Sequence, residues 1–167
     1  MQTTFTGTCH VYGNNIDTDR IIPGKHTKTL DLSQLAAHVL EDLDPTFRER
    51  VQAGDILVAG ENFGCGSSRE QAPLAIQAAG ITAVIATSFA RIFFRNAINI
   101  GLPVLEIGPH AIANGSELMI DLVAGEVVDK TAVSAYRATK MPQTMIDILQ
   151  AGGLVNYLTE QGDYGRF

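Results

Sequence analysis

Residues able to do chemistry are concentrated in one stretch, Gly60-Glu61-Asn62-Phe63-Gly64-Cys65-Gly66-Ser67-Ser68-Arg69-Glu70-Gln71, which follows the apolar run Ile56-Leu57-Val58-Ala59 and opens a helical pattern. Glycine lets a ligand approach the backbone closely. A helix start offers free N–H groups to an anion, and an arginine such as Arg69 can grip a carboxylate with two parallel hydrogen bonds. A serine hydroxyl held among these positive groups can give or take a proton if its pKa is lowered. The same residues also suit a plain cap, with Ser67 or Ser68 accepting from the N–H of Glu70 or Gln71. Both readings stay open at this point. Two nucleotide motifs are excluded: Gly-Lys-Ser/Thr is missing, and so is the third glycine of the dinucleotide fingerprint.

Three smaller groups accompany this loop. Asn15-Ile16-Asp17-Thr18-Asp19-Arg20 brings two carboxylates and a guanidinium together. It reads either as a metal site or as a loop knit by Asx turns and ion pairs, the better reading from spacing alone. Lys25, His26 and Lys28 follow Pro23-Gly24, as a solvated loop or one that reads an acidic substrate. Arg91 and Arg95 lie four residues apart on one helix face, a solvated face or a docking edge. Cys9 and Cys65 are the only cysteines. They make no CxxC pair and are too few for a four-cysteine iron–sulfur site, so cluster ligands would have to come mainly from another chain. Cys9 suits a core position, Cys65 a packing or spacer role.

The elements that must hold these residues follow from periodicity. Strands are expected over 3–12, 56–59, 83–86 and 103–107, and helices over 30–40, 69–79 and 89–100, the last capped by Ser88. Asp44-Pro45 predicts the start of a short helix ending near Val51. The alternation of strand and helix through the middle of the chain argues for parallel strands with helices packed on them, an α/β class. A hairpin around Ala124-Gly125 and helices over 142–150 and 154–159 complete the chain, with no linker that would divide 1–167 into more than one domain.

At 167 residues the chain is long enough to bury its own core. With 46% hydrophobic and 18% charged residues it falls in the ordinary globular class. A net charge of −6 argues against nonspecific nucleic-acid binding. No apolar run approaches the roughly 20 residues of a membrane span. The first residues lack a secretory pattern, so the cytoplasm is the expected compartment.

Four blocks, in order, carry a resemblance: Asn15-Ile16-Asp17-Thr18-Asp19-Arg20-Ile21-Ile22-Pro23, the Gly60 to Ala72 loop, Ser88-Phe89-Ala90-Arg91-Ile92-Phe93-Phe94-Arg95-Asn96-Ala97-Ile98-Asn99-Ile100-Gly101, and Ala151-Gly152-Gly153-Leu154-Val155-Asn156-Tyr157. Together they resemble the small subunit of 3-isopropylmalate dehydratase, in the aconitase superfamily. The resemblance implies a swivelling β/β/α domain with a partly parallel sheet flanked by helices. It implies a hydro-lyase of leucine biosynthesis that isomerises 2- and 3-isopropylmalate via 2-isopropylmaleate and is active only with a large subunit, in a heterodimer or heterotetramer. The large subunit is expected to carry a [4Fe–4S] cluster, and this chain none. By the same resemblance Ser67 is the catalytic base, Arg69 binds a substrate carboxylate, Ser68 contacts substrate, and the loop holding His26, Thr27 and Lys28 reads the far end of a small di- or tricarboxylate. Aconitase has a glutamate where Cys65 stands, so no role passes to that residue. Lys28 could pair with a third carboxylate or point to solvent, which leaves the small subunit of homoaconitase or of a methyl-substituted malate dehydratase as alternatives. A noncatalytic anion-binding module is the reading from another class; dependence of activity on the large subunit discriminates it. The surface that meets the large subunit would let isolated chains self-associate.

Overall fold

In the computed structural model, residues 3–161 are described; Met1 and Gln2, part of the N-terminal reading, lie outside them. Four parallel strands, β1 (Thr4–Val11), β2 (Ile56–Ala59), β3 (Ala83–Ala86) and β4 (Val104–Glu106), continue into three antiparallel ones, β5 (Glu117–Asp121), β6 (Glu126–Asp129) and β7 (Ser134–Arg137). They form one mixed sheet of order β4-β3-β2-β1-β5-β6-β7. The register pairs Cys9 with Ile56, Ile56 with Ala83 and Val84 with Val104 on the parallel side. On the other side Phe5 faces Ile120 and Ile120 faces Val127. β1 therefore joins the two halves.

The sequence explains the asymmetry. Every residue of β2 and β3 is buried, as their unbroken apolar runs require of strands covered on both faces. In β5, by contrast, Leu118 and Ile120 are buried while Glu117 is exposed, a period of two. Helices α1 (Thr18–Ile21), α2 (Leu32–His38) and α3 (Phe47–Arg50) lie between β1 and β2, α4 (Gln71–Ala78) between β2 and β3, and α5 (Arg91–Asn99) between β3 and β4. Helices α6 (Gln143–Ala151) and α7 (Leu154–Glu160) follow the hairpins. Among these, α2 packs on α4, α4 on α5, and α5 on α6. One hydrophobic cluster runs from Phe5 and Leu118 through Val58 and Ile85 to Leu149. Each large side chain buried there contributes roughly 1.5–3 kcal/mol through area removed from water.

Several boundaries differ from expectation. Arg69 lies outside α4, whose cap position is Glu70. Ser88 does not cap α5: the helix begins at Arg91 with Ala90 at the cap, and Ser88 Oγ accepts the N–H of Asn62 at 2.8 Å. Asp44 does not cap α3 either, which starts after Thr46. Its carboxylate instead accepts from Tyr12 Oη at 2.7 Å and from Arg50 Nη2 at 2.7 Å. In each case a long-range partner outcompetes the local cap. Strand β7 escaped the pattern reading, because Ser134-Ala135-Tyr136-Arg137 contains one strong β-former and takes its conformation from pairing with β6.

Candidate active site

The loops that follow β1, β2 and β3 are held together by continuing the sheet's own pairing. Asn15 N–H donates to Glu61 O, Gly64 N–H to Ile16 O and Thr18 N–H to Cys65 O, each at 2.8 Å. On the other side Phe63 N–H donates to Ser88 O at 3.0 Å and Ala90 N–H to Phe63 O at 2.9 Å. The middle loop is thus clamped between its neighbours outside the carboxyl ends of the parallel strands, where ligands bind in open α/β sheets. Gly64 is the pin. Its φ is +83°, and a Cβ there would lie 2.3 Å from Cγ of Phe93. Phe93 in turn packs edge-on against Phe63 at 5.1 Å.

Beyond Gly66 the loop opens into a cavity of about 210 Å³ lined by Thr18, Ser67, Ser68, Arg69, Arg91 and Asn96, among others. Ser67 is oriented through its backbone, its carbonyl accepting from Thr18 Oγ1 at 2.7 Å. Both serines are exposed, and among the described residues neither hydroxyl has a protein partner. Helix α4 has no side-chain cap, so the plain capping alternative does not describe this loop. The Arg69 guanidinium crosses to the first loop. Its Nη1 donates to Asp19 Oδ1 at 2.7 Å and to Ile22 O at 3.2 Å. Its terminal nitrogens also close on Gly24, where a Cβ would sit 3.1 Å from both. Asp19 is 67% exposed, and such open pairs are worth about 0–1 kcal/mol. A substrate carboxylate can therefore take the place of the Asp19 carboxylate.

Asp17 and Asp19 are spent within the chain. Asp17 Oδ1 caps α1 by accepting from Arg20 N–H at 2.8 Å, and Asp19 Oδ1 also accepts from Gly24 N–H at 3.1 Å. The knit-loop reading of this segment is the one seen. The next segment forms a single 3₁₀ turn, Gly24–His26. His26 Nε2 lies 2.8 Å from Glu41 Oε1, and Thr27 O accepts from Gln71 Nε2 at 3.0 Å. Thr27 Oγ1 donates back to Gly24 O at 2.7 Å. Among the described residues the exposed Lys28 has no protein partner. The structure thus gives His26 and Thr27 loop-holding bonds and leaves Lys28 uncommitted. Gln71 and Arg69 together tie this loop to the serine loop.

Of the further residues in this constellation, Thr18 and Asp19 were read from the sequence as part of a knit or metal-binding loop, Arg91 as a solvated face or docking edge and Gln71 as the end of the serine stretch, while Glu41 was not singled out. The only local signal was the His38-x-x-Glu41 spacing; the others meet their partners across a long stretch of chain. Of the two arginines on α5, Arg91 lines the serine cavity and Arg95 does not. A larger cleft of about 950 Å³, bounded by Phe94, Leu105, Met141, Met145 and Ile146 among others, shares no lining residue with it. The thiols do not fit an iron–sulfur cluster. Cys9 is buried and donates to Ala113 O at 3.3 Å, burial pushing its pKa up. Cys65 is half-buried in the serine loop. Two such thiols cannot supply the thiolates a [4Fe–4S] cluster needs.

Residues 3–109 match the family described as the aconitase C-terminal domain. The chain belongs to that family. The matched span holds β1 to β4 and all three site loops. The aconitase-type chain is 54% identical to the 3-isopropylmalate dehydratase small subunit of Moorella thermoacetica, over 93% of this chain and 95% of that one. It is 50% identical to the methanogen homoaconitase small subunit of Methanothermobacter thermautotrophicus, over 99% and 96%. Its fold superposes on the crystal structure of the 3-isopropylmalate dehydratase (leuD) of Methanocaldococcus jannaschii with a TM-score of 0.91, at 46% identity and 95% coverage of both chains. The aconitase-type swivelling architecture expected from the four sequence blocks is therefore the fold observed.

Proposed function

We propose that this chain is the small subunit of a 3-isopropylmalate dehydratase, a cytoplasmic hydro-lyase interconverting 2- and 3-isopropylmalate through 2-isopropylmaleate in leucine biosynthesis. The observation that carries the reading is the Ser67 hydroxyl, without a protein partner among the described residues, beside Arg69 in a cavity at the strand ends. Arg69 holds a substrate carboxylate in exchange for Asp19, and Arg91 and the Ser68 hydroxyl add positive field and a further contact. A serine is a poor base at its free pKa. The two guanidiniums favour its deprotonated form, so that Ser67 Oγ takes the proton alpha to the held carboxylate. A [4Fe–4S] cluster on the large subunit would supply the Lewis acid for the departing hydroxyl. This chain's part is to bind, orient and move the proton.

The test is co-expression with the large subunit in a heterodimer or heterotetramer. Ser67→Ala should lower kcat by about 10²–10⁴-fold, the usual worth of a positioned base, with KM largely kept. Near-wild-type turnover would remove Ser67 from the role. One observation favours a second reading, the small subunit of a homoaconitase: Lys28 is exposed and has no partner among the described residues, in the loop expected to face the far end of the substrate. A preference above about tenfold for a tricarboxylate, ~1.4 kcal/mol of discrimination, would select it.

A further inference from the structure

Behind the 25–29 loop, two imidazoles converge on the two oxygens of one carboxylate. His26 Nε2 lies 2.8 Å from Glu41 Oε1 and His38 Nδ1 lies 2.8 Å from Glu41 Oε2. The rings are stacked, with centroids 3.6 Å apart and planes within 3° of parallel. One donor atom from each of the three residues falls within 4.8 Å of the others. We propose that His26, His38 and Glu41 form a binding site for a divalent cation of the zinc class, which fastens the 25–29 loop to the end of α2.

The donor chemistry selects the ion. Two imidazole nitrogens and one carboxylate oxygen are a zinc-type set with a fourth position left open, whereas calcium and magnesium take all-oxygen shells. Imidazole binds a metal through a lone pair in the ring plane, so the two parallel rings must swing out of their stack for both nitrogens to reach one ion at about 2.0–2.2 Å. The backbone holds the third ligand in place. Leu40 adopts φ +55°, and its N–H donates to Ile21 O at 2.8 Å, which turns the chain so that Glu41 returns over the end of α2. Access is open: His38 is 36% exposed, and a shallow hollow of about 150 Å³ bounded by Lys25, Lys28 and Gln34 borders both rings. The nearest opposing charge, Lys25 Nζ, is 4.0 Å from Glu41 Oε1 and 72% exposed, so it can turn away to water.

His26 is shared with the loop of the hydro-lyase reading, so the test is chosen to need no turnover. The full-length chain without an affinity tag, stripped with chelator, is titrated with Co²⁺ and then Zn²⁺. One equivalent of Co²⁺ should give the visible absorption of a four-coordinate N/O site, and Zn²⁺ should bleach it. Saturating Zn²⁺ should raise Tm, since an ion that binds only the folded chain stabilises it by mass action. His26→Gln, His38→Gln and Glu41→Gln should each abolish the one-per-chain binding and the Tm response, with circular dichroism and the metal-free melt reporting that the fold is kept. Failure of the wild-type chain to saturate at one equivalent, or equal binding by folded variants, would overturn the site and leave a hydrogen-bonded cluster only.

Discussion

Arg69 does two jobs with one guanidinium: it bridges the serine loop to Asp19 and Ile22, and it is the carboxylate grip of the proposed reaction. A lysine keeps the charge and loses the planar fork. Arg69→Lys should therefore raise KM by roughly 10- to 100-fold, the worth of a hydrogen bond between charged groups, in steady-state assays of the two-subunit enzyme; an unchanged KM would place the carboxylate elsewhere. Asp44 makes a separate prediction about stability. The hydrogen bond from Arg50 holds its carboxyl well below the usual range, burial opposing and the bond from Tyr12 assisting, while burial and Asp44 together raise the Tyr12 phenol. A carboxyl depressed on folding stabilises the chain above its unfolded pKa, and that stability is lost as pH falls toward the folded value. The stability gap between wild type and Asp44→Asn should accordingly be wide at pH ~7 and narrower at pH ~3 in urea melts. A gap that stays constant would mean that Asp44 acts through packing alone.

The loop between β2 and α4 owes its shape to Gly64. Gly64→Ala meets both a left-handed backbone and the Phe93 ring, and should cost about 2–4 kcal/mol. Gly13→Ala meets nothing within 4 Å and should stay within about 0.5 kcal/mol. Equal effects in denaturant melts would refute the pinning. The same elements show how far a sequence can be read. β2 and β3 are legible to the residue, because strands buried on both faces carry unbroken apolar runs. The serine loop was legible as a chemical proposal, because glycines, hydroxyls and an arginine seldom cluster without reason. The starts of α3 and α5 were not. Asp44 and Ser88 have the right chemistry for a local cap, and only the folded chain presents Tyr12, Arg50 and Asn62 to claim them. Glu41 had only its spacing from His38 to mark it, and what gives it meaning is the approach of His26 from across a turn.

For the whole molecule the proposed division of labour is plain, since this chain offers a base and a grip but no cluster ligands. The purified chain alone should show no dehydratase activity and should gain it on mixing with its large subunit in an absorbance assay of the unsaturated intermediate; activity without the partner would contradict the reading. One feature of the architecture reaches further. The serine loop is mounted on the sheet through Ile16, Ser88 and Phe93, while the 25–29 loop is mounted through Glu41 and Gln71. On the proposed reading, reactivity and choice of acid therefore rest on fixings that meet at Arg69 and Gln71 and are otherwise separate. Exchange of the 25–29 stretch for that of the methanogen homoaconitase small subunit should change the ratio of kcat/KM between substrates while leaving Tm within a few degrees. If that exchange behaves so, a lineage built on this scaffold can change the acid it accepts without rebuilding the serine loop, and new specificities are within reach of a few substitutions.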